Sequence, residues 1–318
     1  MEELTVAALA RDMRYEGFLL VRSSDQRTGS NGARYVDMNL CDRTGEINCK
    51  VWDGNAQPPV PGTVIKVRGL VQEYNGRLQL RVERMRQSVP SDGVDLSRLV
   101  PCAPEKPEVM MQRIEDTIDR FESDELKRLV RELLRLAGDR LGYFPAAQRM
   151  HHAERSGLLH HTTSMLNTAE HIIASYPLLH GDLLRAGVII HDLGKINEMK
   201  SDELGNVSDY TRDGLLLGHL VRGVSTLDEA ARNVGVSGEI VALLEHMLIS
   251  HHGVPEYGSP RMPMFPEAEA LHWIDTLDAR MNEMEGILAR TPQGAFSEPI
   301  RSLDGRRLYH ARYTDDAE

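Results

Sequence analysis

The chain has 318 residues, of which 41% are hydrophobic and 27% charged, with a formal net charge of −11. That is the composition of a soluble globular protein long enough for two domains. It argues against an indiscriminate nucleic-acid coat protein, and with no run of about 18 apolar residues it excludes a membrane-spanning helix.

The start, Met1-Glu2-Glu3-Leu4, has neither the basic residues nor the apolar core of a signal peptide, so a cytoplasmic protein is expected. Residues 1–90 read as an all-β unit. Tyr15–Ser23 carries the apolar run Phe18-Leu19-Leu20-Val21, and the polar loop Ser24–Gly32 follows. Val36, Met38 and Leu40 then alternate with Asp37 and Asn39, the period of a half-buried strand. After the turn Asp42-Arg43-Thr44-Gly45, Ile47, Cys49 and Val51 alternate with Glu46, Asn48 and Lys50. Asp53–Gly62, with Pro58, Pro59 and Pro61, breaks the sheet. Val64–Tyr74 is a fourth strand, and Asn75-Gly76 is a strong hairpin signal. The fifth strand is expected to set Leu78, Leu80 and Val82 inward and Arg77, Gln79 and Arg81 outward. Five short antiparallel strands suit a small OB-fold barrel.

The charge is uneven. The first 100 residues hold 14 Lys and Arg against 13 Asp and Glu; the remainder hold 23 against 35. Lys66, Arg68, Arg77, Arg81, Arg84 and Arg86 form a basic stripe, which suits a polyanion or, more plainly, a solvated sheet face. Tyr35, Trp52 and Tyr74 are candidates for base stacking, or for barrel packing, and Arg77 and Arg81 for substrate contacts. Cys41, Cys49 and Cys102 are odd in number and lack CxxC spacing, so they read as free thiols.

Residues 91–107, with Pro101, Pro104 and Pro107, read as a linker. Helical periodicity then takes over in Val109–Phe121, Glu125–Leu141, Gly157–Tyr176, Gly181–His191, Asp213–Val234, Gly238–Ser250 and Pro266–Ala289. No strand is expected after Pro107, so residues 108–318 should form an all-α domain. The tail from Thr291 is mixed, and its acidic end is expected to fray.

The histidines concentrate in this second domain. His161, His191-Asp192, His219, His251-His252 and Asp275 each lie in or just after an apolar helical stretch. One such histidine is more often a satisfied core residue. Several in one domain are hard to satisfy that way, because each buried imidazole needs a partner. A shared metal centre would satisfy them together. Imidazole and carboxylate ligands without thiolate suit Mn²⁺, Fe²⁺, Co²⁺, Ni²⁺ or Zn²⁺. His246, five residues before His251, is kept as a ligand or a phosphate contact. Asp278, one turn after Asp275, competes with it for the ligand role. Lys195 suits either a phosphate contact or a lysine favoured by a helix C-terminus.

His161, His191-Asp192 and Asp275 resemble the H…HD…D signature of the HD-domain phosphohydrolases, and His219 with His251-His252 resembles that superfamily's two-metal branch. The resemblance implies two divalent cations, Mn²⁺ foremost. His161, His191, Asp192 and Asp275 would hold one; Asp192 would bridge to a second held by His219, His251 and His252. It favours Asp275 over Asp278, because the ligand is the first Asp of the Asp-x-x-Asp pair.

Further segments resemble the YhaM family of 3′→5′ exoribonucleases over nearly the whole chain. They are Pro145-Ala146-Ala147 with His151-His152, Gly157-Leu158-Leu159 before His161, Ser250-His251-His252-Gly253, Glu256-Tyr257-Gly258-Ser259-Pro260, and Asp278-Ala279-Arg280-Met281. His160 departs from the pattern, which sets an acidic residue there. The resemblance implies a metal-dependent 3′→5′ exonuclease acting on single-stranded RNA, with single-stranded DNA kept open, and releasing nucleoside 5′-monophosphates. Asp192 and Lys195 would act at the reaction centre, and His152 and Arg280 on substrate phosphates. A homo-oligomer is compatible with it, though no residue shows one. The competing reading is an HD phosphohydrolase of a small nucleotide whose OB-fold serves assembly; preference for oligonucleotides over free nucleotides separates the two.

Overall fold

The computed structural model describes residues 4–29, 32–148 and 151–312. Met1–Glu3 and the acidic end of the tail lie outside the described residues. The chain forms two compact units, Met1–Cys102 and Ala103–Glu318.

The first unit is a closed five-stranded barrel of β1 (Arg14–Thr28), β2 (Arg34–Asp42), β3 (Gly45–Val51), β4 (Val64–Tyr74) and β5 (Arg77–Gln87). The strand order is β1-β2-β3-β5-β4, and β4 closes on β1. All neighbours are antiparallel except β3 and β5, which run parallel. The alternation explains the closure: Val36, Met38, Leu40, Ile47, Cys49, Leu80 and Val82 all point into one buried core. Each such side chain is worth about 1.5–3 kcal/mol of transfer energy. Leu78, expected inward, is 38% exposed instead. It sits one residue past the start of β5 beside the Asn75-Gly76 turn, beyond the end of the barrel core. Within this unit Leu99 and Val100 are buried, and the Arg43 N–H donates to the Arg98 carbonyl.

Residues paired across β2, β3 and β5 give one outer face its chemistry. Lys50 is in register with Asp37 on one side and Arg81 on the other, and Asn48 with Asn39 and Gln79. Asn48 donates to Asp37 and Asn39, and Gln79 donates to Asn48, so these amides hold one another in place.

The second unit is helical: α1 (Pro107–Asp119), α2 (Asp124–Ala137), α3 (Gly157–Ser175), α4 (Gly181–Ile190), α5 (Lys195–Glu198), α6 (Arg212–Val234), α7 (Glu239–Ser250) and α8 (Pro266–Leu288). It also holds a hairpin of β6 (Met199–Ser201) and β7 (Val207–Tyr210), contrary to the expectation of no strand after Pro107. Strands of three and four residues are too short to show a period-2 pattern.

Helix α4 is central. Leu183, Leu184, Ala186, Gly187, Val188, Ile189 and Ile190 are all buried, the mark of a helix enclosed on every side. Its Asp182 is also buried, and the carboxylate accepts the Glu122 and Ser123 N–H groups ahead of α2. The amphipathic α2 lays Leu126, Leu129, Val130, Leu133 and Leu134 into the same core and is capped by Ser123, whose hydroxyl accepts from the Leu126 N–H.

Candidate metal centre

Helix α4 ends at Ile190 and delivers His191 and Asp192 into the interior, 1% and 3% exposed. The chain then turns tightly against α6. A Cβ on Gly194 would run into the His219 carbonyl, so only glycine lets the two segments approach this closely. Helix α6 is itself broken at Gly218, whose φ of 70° and ψ of 172° turn the following His219 toward the His191-Asp192 corner. His161 comes from α3, His251 and His252 from the turn after α7, and Asp275 and Asp278 from α8.

These side chains meet. His161 Nε2 lies 3.3 Å from His191 Nε2, 3.2 Å from Asp275 Oδ1 and 3.7 Å from Asp192 Oδ2. His191 Nε2 lies 3.3 Å from Asp192 Oδ2. The other oxygen, Asp192 Oδ1, faces His219 Nε2 at 3.6 Å and His251 Nε2 at 3.8 Å. The nearest ligand atoms of His219, His251 and His252 lie within 4.8 Å of one another, as do those of His191, His251 and Asp275. One carboxylate thus presents its two oxygens to two sets of imidazoles.

The far side of each ring is equally ordered. His161 Nδ1 is 2.7 Å from Asp278 Oδ2, and His219 Nδ1 is 3.0 Å from Glu198 Oε2. The Nδ1 atoms of His191, His251 and His252 meet the carbonyls of Val188, Leu248 and Tyr257 at 2.9, 2.8 and 2.9 Å. A carbonyl can only accept, so these three rings carry the proton on Nδ1 and turn the Nε2 lone pair inward. Metal-bound histidines have this arrangement, with the outer N–H tied to a carbonyl or carboxylate.

The electrostatics agree. Burial would raise the Asp192 carboxyl, but Lys195 and His191 outweigh it and hold the group well below its ordinary range. Burial would lower Lys195, but Asp192, 2.6 Å away, keeps the ammonium charged. Burial would also lower His161; Asp275 and Asp278 overcome it and bring the ring up to about 9. Burial and the neighbouring His252 push His251 well down, so its Nε2 stays a lone pair. Among the described residues, Asp192 Oδ1, His219 Nε2 and His251 Nε2 are buried without a hydrogen-bond partner. Orphaned buried polar atoms are costly, and three facing one another are answered by one cation. The donor set, nitrogen and oxygen without sulfur, suits a divalent metal of the first transition row.

Other sequence candidates fall elsewhere. His152 is buried, its Nε2 2.8 Å from Asp278 Oδ2 and its Nδ1 3.1 Å from His160 Nδ1. His246 stands apart: its Nε2 accepts from the Met264 N–H and its ring packs on Phe265. Arg280 is exposed on α8. In the barrel unit Tyr35 and Trp52 stack with ring centres 4.7 Å apart, Trp52 is 55% exposed, and Lys50 lies over the Tyr35 ring. Tyr74, Arg77 and Arg81 are exposed, with Arg81 beside Glu83. Lys66 and Arg86 pair with Glu16 and Asp92, so the basic stripe is partly neutralised away from Arg77.

Sequence reading passed over Glu198, which holds both the N–H and the ring of His219. It also gave no separate role to His151, pushed down to about 3 by burial and then by Lys195 and His161. Neither residue stands in a pattern of its own.

An OB-fold nucleic acid binding domain model matches residues 17–87, and an HD domain model matches residues 158–280. The protein named 3′-5′ exoribonuclease YhaM from Geobacillus sp. (strain WCH70) is 40% identical over 296 residues, 92% of this chain and 90% of that protein. The chain belongs to the YhaM family. Its relatives of that name from Bacillus licheniformis and Listeria innocua are each 39% identical, over 92% and 94% of this chain and 93% and 95% of their own. The HD match takes in every residue of the cluster just described, from His161 to Asp278. In this YhaM-family chain, as expected, an OB-fold barrel precedes a helical HD domain.

Proposed function

We propose that this chain is a metal-dependent 3′→5′ exoribonuclease that degrades single-stranded RNA to nucleoside 5′-monophosphates. The observation that carries the reading is the Asp192 carboxylate, flanked on each oxygen by imidazoles whose Nε2 atoms turn inward. The names of the YhaM relatives support the substrate and the polarity.

His161, His191, Asp275 and Asp192 Oδ2 would hold one divalent cation, and His219, His251, His252 and Asp192 Oδ1 a second. Such a pair, when bound, supplies a nucleophile at neutral pH and neutralises charge on the scissile phosphate. Mn²⁺ is our first choice, since oxygen and imidazole ligands suit it. Lys195 stays cationic beside Asp192, so it serves as an electrostatic contact for a phosphate oxygen and not as a base. Arg280, exposed on α8, is our candidate for a contact to a substrate phosphate. The stacked Tyr35–Trp52 pair, with Lys50, Arg77 and Arg81, suits a single strand held by its bases and backbone. No helix among the described residues is long and apolar enough to cross a membrane, which is compatible with work in the cytoplasm.

The test is RNA labelled at one end, incubated with the protein with and without Mn²⁺. With a 5′ label the expected product is a ladder that shortens one nucleotide at a time; with a 3′ label it is immediate release of the mononucleotide. Asp192→Asn should abolish hydrolysis and leave RNA binding intact. A folded Asp192→Asn protein with full activity would falsify the metal reading.

A further inference from the structure

Behind His161 lies a second group of ligating side chains that the nuclease reading does not use. His152 Nδ1, His160 Nδ1 and Glu154 Oε1 converge on one point. The two ring nitrogens are 3.1 Å apart, His160 Nδ1 is 2.8 Å from Glu154 Oε1, and His152 Nδ1 is 3.8 Å from it. A tetrahedral cation with bonds of about 2.0–2.1 Å sets its ligand atoms about 3.3 Å apart. The triangle therefore fits one small ion with little adjustment.

Hydrogen bonding alone serves this group poorly. His152 Nε2 lies 2.8 Å from Asp278 Oδ2, an acceptor, so that nitrogen carries the proton and Nδ1 presents a lone pair. Glu154 Oε1 is a second acceptor. Both share the single N–H that His160 Nδ1 can offer, and the only further donor to His152 Nδ1 among the described residues is the Asn282 amide at a long 3.4 Å. The His152 side chain is only 2% exposed, while Glu154 and His160 are 21% and 26% exposed, which leaves an approach from solvent. One nitrogen turned into the cluster and the other donating to a carboxylate is the posture of a metal-bound imidazole.

We propose that His152, Glu154 and His160 form an additional divalent-cation site, two imidazoles and one carboxylate with an open fourth position, suited to Zn²⁺. The occupied site fixes His152 as a donor to Asp278. The same Asp278 Oδ2 receives His161 Nδ1 at 2.7 Å, so the ion acts as a positioning element one carboxylate removed from the Asp192 cluster.

The experiment is zinc counting on the full-length protein after loading and desalting, with Glu154→Gln and His160→Gln alongside. Each variant should retain one zinc fewer per chain than the unaltered protein, with an unchanged circular dichroism spectrum. Crystals of the unaltered protein soaked in Zn²⁺ should show anomalous density between the three side chains. Equal zinc content in all three folded proteins, or no density at the triangle in those crystals, overturns the proposal. If either variant fails to fold, the crystals of the unaltered protein decide it alone. Neither readout depends on hydrolysis, so the site can fail while the nuclease reading stands, and the reverse.

Discussion

Asp275 and Asp278 sit one turn apart on α8 and both touch His161, yet the geometry gives them different work. Asp275 Oδ1 faces the inward Nε2, whereas Asp278 Oδ2 receives the outer Nδ1 and also His152. In Asp278→Asn the site keeps all its inward donors and loses the charge that orients one of them. Hydrogen bonds to a charged group contribute about 1.5–3 kcal/mol, and losing an outer partner of a metal-bound histidine typically costs about 10–100-fold in metal affinity. The Mn²⁺ concentration for half-maximal RNA hydrolysis should therefore rise by about that factor, with the rate recovered at saturating metal. Asp275→Asn instead replaces an inward anionic ligand with a neutral amide, and added Mn²⁺ should not restore its rate. The assay is a metal titration of RNA hydrolysis for the two variants side by side. Rescue of Asp275→Asn by metal, with Asp278→Asn beyond rescue, would reverse the assignment and refute the reasoning.

Gly194→Ala drives a methyl group into the His219 carbonyl and should destabilise the HD domain by about 1–3 kcal/mol, seen as an earlier midpoint in urea unfolding; an unchanged midpoint would mean the turn has room. Trp52→Ala removes the exposed half of the aromatic stack and should weaken single-stranded RNA binding by about 1–3 kcal/mol in a filter-binding assay, with dinucleotide hydrolysis kept; equal losses on both would take the barrel out of substrate capture. His161, held up to about 9, is protonated at neutral pH, so a cation entering at Nε2 must displace a proton. Metal affinity should rise with pH up to about 9 and fall below it, and calorimetry in buffers of different ionisation heat should detect about one proton released from this ring; no buffer dependence would contradict it.

The cluster's inward residues could be read ahead of the structure because each ends or follows an apolar run, and a buried histidine there demands an explanation. His191-Asp192 closes the buried α4, and His251-His252 closes α7. The residues that hold those rings from behind carry no such mark. Glu198 reaches a histidine 21 positions away, and the carbonyls of Val188 and Leu248 have no side-chain signature at all. The barrel shows the same contrast. Strand β4 runs from Val64 to Tyr74 as its pattern indicates, whereas β1 continues to Thr28 through the polar stretch expected to be a loop from Ser24, held to β2 by the backbone ladder and an Arg27–Asp37 ion pair. Leu78 shows that alternation gives a side chain's direction but not where the core ends.

The five inward-facing rings are braced by Asp278, Glu198 and three main-chain carbonyls. Each ring is thus held from outside by the polypeptide's own acceptors, whereas a zinc finger takes its shape around its metal. Nitrogen and oxygen sites of this kind admit several first-row metals, and geometry, ligand type and metal availability together select among them.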